Sequence, residues 1–197
     1  MQRNCNHLTR PVYSLILCLL PLPFICGLLP IVDFTEELIE INVHRERIVV
    51  DGYYTYRNRL PFPVRQGLSI PFPVDERHPA PNRFFVRQLE PEMNDIGTLH
   101  LWNKQRTTLR LAANGFCIIH VQYHQQSPQG DASYILLTTR QWRKPLEKAA
   151  YRIYTHGVDI VSTNYALNKS EKGYLEFNRE DFLPDEDWHF SWGERKI

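Results

Sequence analysis

The chain has 197 residues, of which 43% are hydrophobic, 12% aromatic and 23% charged, enough for one well-buried domain and short for two. These are the proportions of a folded chain, not a disordered one. Its formal net charge is +1, so no nucleic-acid partner is expected.

The first thirty residues differ in kind from the rest. Met1 to Arg10 carries Arg3 and Arg10 with no acidic residue, and Val12 to Leu29 is an uncharged apolar run. We read 1–30 as an export segment, a signal peptide or N-terminal membrane anchor, ahead of a folded domain over 34–197. Pro21, Pro23 and Pro30 oppose a straight membrane span, and Gly27 is a small residue at which a signal peptidase could cut, so cleavage is expected ahead of anchoring. Lipidation of Cys18 or Cys26 is a third alternative, although Leu17 and Ile25 stand where a lipobox has Gly, Ala or Ser. The expected location is extracytoplasmic, with contact to the membrane only through an uncleaved segment. Cys5, Cys18 and Cys26 all lie in that segment, which leaves Cys117 without an intrachain partner after cleavage and reads it as a small buried residue.

From Glu36 the text is strands and turns. Ile39, Ile41 and Val43 alternate with Glu40 and Asn42 as in a half-buried strand. After the turn His44-Arg-Glu-Arg47, Ile48 to Tyr56 returns as its hairpin partner, with Gly52 a bulge or a point of close contact. Arg57 to Val64 is a proline-punctuated corner. In the segment that follows, Arg65 to Pro73, Pro71 and Pro73 cannot donate to a ladder, so it belongs at a sheet edge or crosses between sheets; Pro61, Pro63, Pro71 and Pro73 frame Val64 to Ile70 so closely that this strand can pair fully on one side at most. Asp75 to Asn82 is turn-rich, Arg83 to Leu89 a short strand, and a loop over Glu90 to Gly97 leads to strands near Thr98 to Trp102 and Thr107 to Ala112.

The strongest signal is a pair of runs, Phe116 to Tyr123 and Ala132 to Thr139, around the polar Gln125 to Asp131. They are expected to form a central hairpin, with Cys117, Ile119, Val121 and Tyr123 on its core face. Trp142 to Pro145 reads as a turn and Ala150 to Thr155 and Val158 to Tyr165 as strands. Leu146 to Ala150 could be a helical turn, but its continuation alternates like a strand. Asn178 is placed to cap a helical turn at Arg179 to Phe182. The sum is a mainly β chain, a single antiparallel β-sandwich, immunoglobulin-like or related, of roughly ten strands.

The order of Tyr53-Tyr-Thr-Tyr-Arg-Asn58, Ile70-Pro-Phe-Pro73, Tyr134-Ile-Leu-Leu-Thr-Thr139 and Trp142 resembles a group of exported bacterial β-sandwich proteins catalogued as domains of unknown function. In that pattern one residue, here two, separates the Tyr from the Leu-Thr-Thr. More remotely it is similar to the vault and inter-α-trypsin type of sandwich. The resemblance spans roughly Glu37 to Tyr154 and implies a fold and an exported location, with no functional residues.

No catalytic, cofactor-binding or metal-binding residues are assigned. His44, His78, His100, His120, His124, His156 and His189 are read as surface or hydrogen-bonded residues; His120 and His124 share a strand face, but four residues of extension hold them roughly 13 Å apart. A Gly-x-Ser-x-Gly elbow and a phosphate loop are both absent from the sequence. From Glu171 to Glu194 eight acidic residues face two basic ones; a calcium site at Asp181, Asp185 and Asp187 is conceivable, a solvated acidic loop the simpler reading. The basic run Arg140, Arg143, Lys144, Lys148, Arg152 could pair with that tail.

What remains is an interaction surface on the proline-framed edge, Phe62, Arg65, Gln66, Leu68, Ile70 and Phe72, suited to an envelope protein or a glycan. The expected function is a non-catalytic structural or interaction module of the cell envelope. A hydrolase or a carbohydrate-binding module is the alternative. A hydrolase would require a deep pocket where two or more of His78, His120, His124, Asp75 and Glu76 converge.

Overall fold

A computed structural model describes residues 31–91, 99–101 and 104–195. The export segment and most of the Glu90 to Gly97 loop lie outside the described residues. In chain order the elements are β1 (Asp33–His44), β2 (Arg47–Arg57), β3 (Val64–Pro71), β4 (Arg83–Glu90), β5 (Leu99–Leu101), β6 (Lys104–Leu111), β7 (Phe116–Gln126) and β8 (Asp131–Tyr134), then a 3-10 helix (Leu137–Trp142), and β9 (Leu146–Thr155), β10 (Val158–Thr163), β11 (Asn168–Lys169), β12 (Leu175–Phe182) and β13 (Trp188–Glu194).

Seven strands form one sheet in the order β11-β12-β9-β1-β2-β7-β4, and two three-stranded sheets, β10-β13-β8 and β3-β6-β5, complete the fold. Alternation along the large sheet turns Ile39, Ile41, Val50, Tyr56, Ile119, Val121, Tyr151 and Ile153 to one side, where they join Leu68, Leu109, Leu111, Tyr134, Trp188 and Phe190 from the small sheets in a single core. Each inner face is too apolar to stand in water, so the sheets stack: the expected β-sandwich.

The pairing departs from expectation in three places. β7 and β8 are not a hairpin: β7 lies between β2 and β4 in the large sheet, while β8 pairs with β13 in a small one. The chain crosses at Ser127 to Gly130, where Gly130 has φ 71°, donates to the Ser127 carbonyl at 3.2 Å and accepts from Trp192 N at 2.8 Å. A left-handed glycine here turns the chain out of the ladder. β1 and β9 run parallel, from Glu36↔Lys148 to Val43↔Thr155, so the sandwich is not antiparallel throughout. Finally, the strand expected to reach Thr139 stops at Tyr134, because Asp187 Oδ1 accepts the N–H groups of Leu136 and Leu137 at 2.8 and 2.9 Å and draws the chain into the 3-10 helix.

Arg179 to Phe182 is strand, not helix: β12 pairs with β9 from Leu175↔Ile153 to Phe182↔Leu146, and a sheet partner outweighs a local cap. Leu146 to Thr155 is extended, as its alternation indicated. Of the acidic tail, Asp187 is engaged as described and Glu176 lies 3.8 Å from Arg152, a member of the basic run.

Cys117 is fully buried in β7 opposite Tyr56, and burial pushes its thiol up to about 12. Cys117→Ser is expected to lower stability by about 1 to 3 kcal/mol by leaving a hydroxyl in the core. Native protein should label slowly with a thiol reagent; rapid labelling would contradict this placement.

Candidate functional site: a cleft with a buried carboxylate

Period-two alternation that faces Ile39, Ile41 and Val43 inward also carries Glu37 inward. Glu37 stands opposite Tyr54 across the β1/β2 ladder. Tyr134, from the end of β8, donates to Glu37 Oε1 at 2.8 Å, and Tyr151, from β9, donates to Oε2 at 2.8 Å. Tyr54 and Tyr134 share a hydrogen bond of 2.8 Å. Gly52 makes room for this arrangement: a Cβ there would fall on the Tyr54 ring. It is the close contact expected at that glycine, without a bulge.

Burial pushes the Glu37 carboxyl up to about 7, against the two tyrosine hydrogen bonds, which favour the anion. Desolvation likewise holds Tyr54, Tyr134 and Tyr151 well above the usual phenol range. The site therefore contains one group that titrates near neutrality, surrounded by phenols that do not.

Glu37 forms part of the floor of a cleft of about 330 Å³. Phe34, Tyr56 and Trp142 make an aromatic wall, with Phe34 stacked on Tyr56 at 5.0 Å and tipped against Trp142 at 5.9 Å. The 3-10 helix contributes Thr138, Thr139 and Gln141 to one rim. On the other rim stand six consecutive residues, Gln66 to Pro71. A strand shows only alternate residues through either face, so a consecutive run means that β3 turns its edge toward the cleft. Its other side is paired with β6 along its whole length, Val64↔Leu111 to Pro71↔Lys104, and among the described residues β3 ends its sheet. The Gln66 amide folds over this edge, donating to Gly67 O at 3.1 Å and accepting from Ile31 N at 3.2 Å.

Of the residues singled out in the sequence, Gln66, Leu68 and Ile70 line the cleft. Arg65 and Phe62 are exposed and are not among the residues that line it. Phe72 is core, edge-on to Phe84 and Tyr123, and offers a partner no surface. Sequence reasoning missed Glu37, Tyr54, Tyr134 and Trp142 as one site. The signal was present for Glu37, which precedes Ile39, Ile41 and Val43 at strand period as a carboxylate on an apolar face.

The histidines go elsewhere. His120 lies on the opposite face of the large sheet, 2.9 Å from Asp51 and stacked on Tyr53 at 4.6 Å; His44 stacks on His156 at 4.6 Å. His78 and Asp75 do meet, at 2.9 Å, in a loop where Asp75 also accepts the N–H groups of Arg77 and His78. Hydrogen bonds from His78 pull Asp75 down to about 2. The second His78 nitrogen faces Asp131 at 3.3 Å. His120, His124 and Glu76 do not join them. Among the described residues no group of three or more His, Cys, Asp or Glu is arranged to hold a metal ion.

No family model and no curated protein matches the sequence. Among solved structures the chain is similar to a candidate nutrient-binding protein from Legionella pneumophila, at 12% identity and a TM-score of 0.63 over 83% of this chain and 67% of that one. It is also similar to yeast LTA4 hydrolase, at 8% identity and TM-score 0.50 over 82% and 29% of the two chains, and to an M1 zinc metallopeptidase from Deinococcus radiodurans, at 11% and 0.49 over 81% and 42%. The chain thus spans less than half of either enzyme. At these identities the likeness is one of fold.

Proposed function

We propose that the chain is an exported, non-catalytic binding module of the cell envelope, whose cleft accepts an extended segment of a partner protein as a strand added to β3. The observation that carries the reading is the edge of Gln66 to Pro71, with which no further strand pairs among the described residues, along an aromatic cleft. Unpaired backbone groups supply a template for a further strand, and the cleft beside them supplies side-chain selectivity. Location rests on the basic, then apolar, first thirty residues and on the resemblance to exported sandwich proteins. The name of the Legionella neighbour supports binding as the class of function.

A hydrolase reading would start from Asp75 and His78, which sit beside a depression lined by Ser133, Ser162, Ser191 and His189. Among the described residues, however, the two ring nitrogens of His78 face Asp75 and Asp131, leaving neither directed at a serine hydroxyl. Nucleophile activation needs that contact.

Amide exchange tests the binding reading. A capped peptide of alternating Thr and Val, at a concentration that saturates binding, is expected to slow exchange within Gln66 to Ile70 and leave the outer strand β4 unchanged. Binding with unchanged exchange in β3 would contradict strand addition.

A further inference from the structure

Among the described residues that line the cleft, Glu37 is the only acid, and no Lys, Arg or His is present. Among the described residues no basic group lies within ion-pair distance of its carboxylate. Its two oxygens each accept one phenol, which leaves further lone pairs on both. A buried carboxylate without a cation is costly when ionised, and a cation delivered from outside would remove that cost.

We propose that the peptide taken up along β3 carries a lysine whose side chain descends to Glu37. This rests on the strand-addition reading and names the residue that the cleft selects. The four-carbon stem would lie along Phe34, Tyr56 and Trp142, whose ring faces also attract the cation. At the floor the ammonium has three donors, matched by the two Glu37 oxygens and a hydroxyl of the Tyr54–Tyr134 pair. A compact ammonium fits this site better than a guanidinium, whose five donors in a fixed fork would outnumber the acceptors. The volume of about 330 Å³ falls at the small end of ligand sites, suited to one long side chain and the backbone that carries it. The groups facing Glu37 are Tyr54 from β2, Tyr134 from β8 and Tyr151 from β9, with Tyr123 of β7 further off; all stay neutral between pH 5 and 8. Within that window the charge state of the site is the charge state of Glu37.

The test uses the folded protein and two fluorescent capped peptides, Thr-Val-Thr-Lys-Thr-Val-Thr and the same sequence with norleucine, which keeps the stem and lacks the charge. The lysine peptide is expected to bind at least tenfold tighter at pH 8. Its affinity should fall toward pH 5 as Glu37 takes up a proton, and Glu37→Gln should remove both the preference and the pH dependence. If that variant does not fold, the pH series on the unaltered protein decides. Equal binding of both peptides, with exchange slowed at Gln66 to Ile70, would overturn the lysine assignment and leave strand addition standing. Butylamine is the remaining arm: if it competes through Glu37 as strongly as the lysine peptide, and neither slows exchange in β3, the site takes free amines and both readings fail.

Discussion

Raising the pH from 4.5 to 8 is expected to cost this protein about 3 kcal/mol of stability through Glu37 alone. An unfolded glutamate ionises near 4.5, whereas burial holds Glu37 protonated in the folded state up to about 7. Between those values the unfolded chain binds fewer protons than the folded one, so stability declines as pH rises. The contribution is complete below 4.5 and lost above 7; at about 1.4 kcal/mol per pH unit the interval amounts to about 3 kcal/mol. Asp33 and Asp75 are shifted the other way and exert their effects below this window, whereas His44 and His124, which burial holds below the usual imidazole value, add stability as pH rises within it and oppose Glu37. The Glu37 contribution is the difference between two urea-unfolding series: across the range the unaltered protein should lose about 3 kcal/mol relative to Glu37→Gln, which keeps acceptor and shape without the charge. Parallel curves for the two proteins would contradict a buried Glu37.

Asn58→Ala is expected to lose about 3 kcal/mol. Asn58 is fully buried at the end of β2. Its Nδ2 donates to the carbonyls of Phe62 and Ala112 at 2.9 and 2.7 Å, and its Oδ1 accepts from Leu60 N at 3.0 Å. Each bond contributes roughly 0.5 to 1.5 kcal/mol, and the backbone groups left without it add a penalty of their own. These bonds shape the corner that delivers the chain to Val64 and so aim the edge of β3 at the cleft. Asn58→Asp keeps the bond to Leu60 but sets an anion against two carbonyl oxygens, so at pH 7 it should be at least as damaging. A variant within about 0.5 kcal/mol of the parent by urea unfolding would refute this role.

The elements were legible in the sequence wherever one strand face is apolar, because alternation is a local property: Ile39, Ile41 and Val43 announced β1, and Cys117, Ile119, Val121 and Tyr123 announced β7. Pro71 likewise marked β3 as an edge, since the ladder itself excludes proline from a central strand. Partner choice was not legible. Two adjacent apolar runs joined by a polar loop fit a hairpin and a crossing between sheets equally well, and only the bond from Trp192 to Gly130 with the β8–β13 ladder, some 60 residues distant in sequence, selects the crossing. The cleft shared this fate. Its rim at Gln66, Leu68 and Ile70 was visible through the prolines, whereas its floor gathers Glu37, Tyr54 and Tyr134 from three strands, with Tyr151 of a fourth bonded to Glu37. Each of those tyrosines reads, alone, as ordinary core.

The titration of Glu37 followed by carboxyl carbon NMR tests the cleft most directly, first in the free protein and then saturated with the lysine peptide. The midpoint should lie at about 7 when free, from burial, and fall well below that when an ammonium sits against the carboxylate. A free midpoint near 4.5 would mean that Glu37 is solvated and the cleft is not as described; a raised midpoint left unmoved by bound peptide would mean that the cation does not reach it.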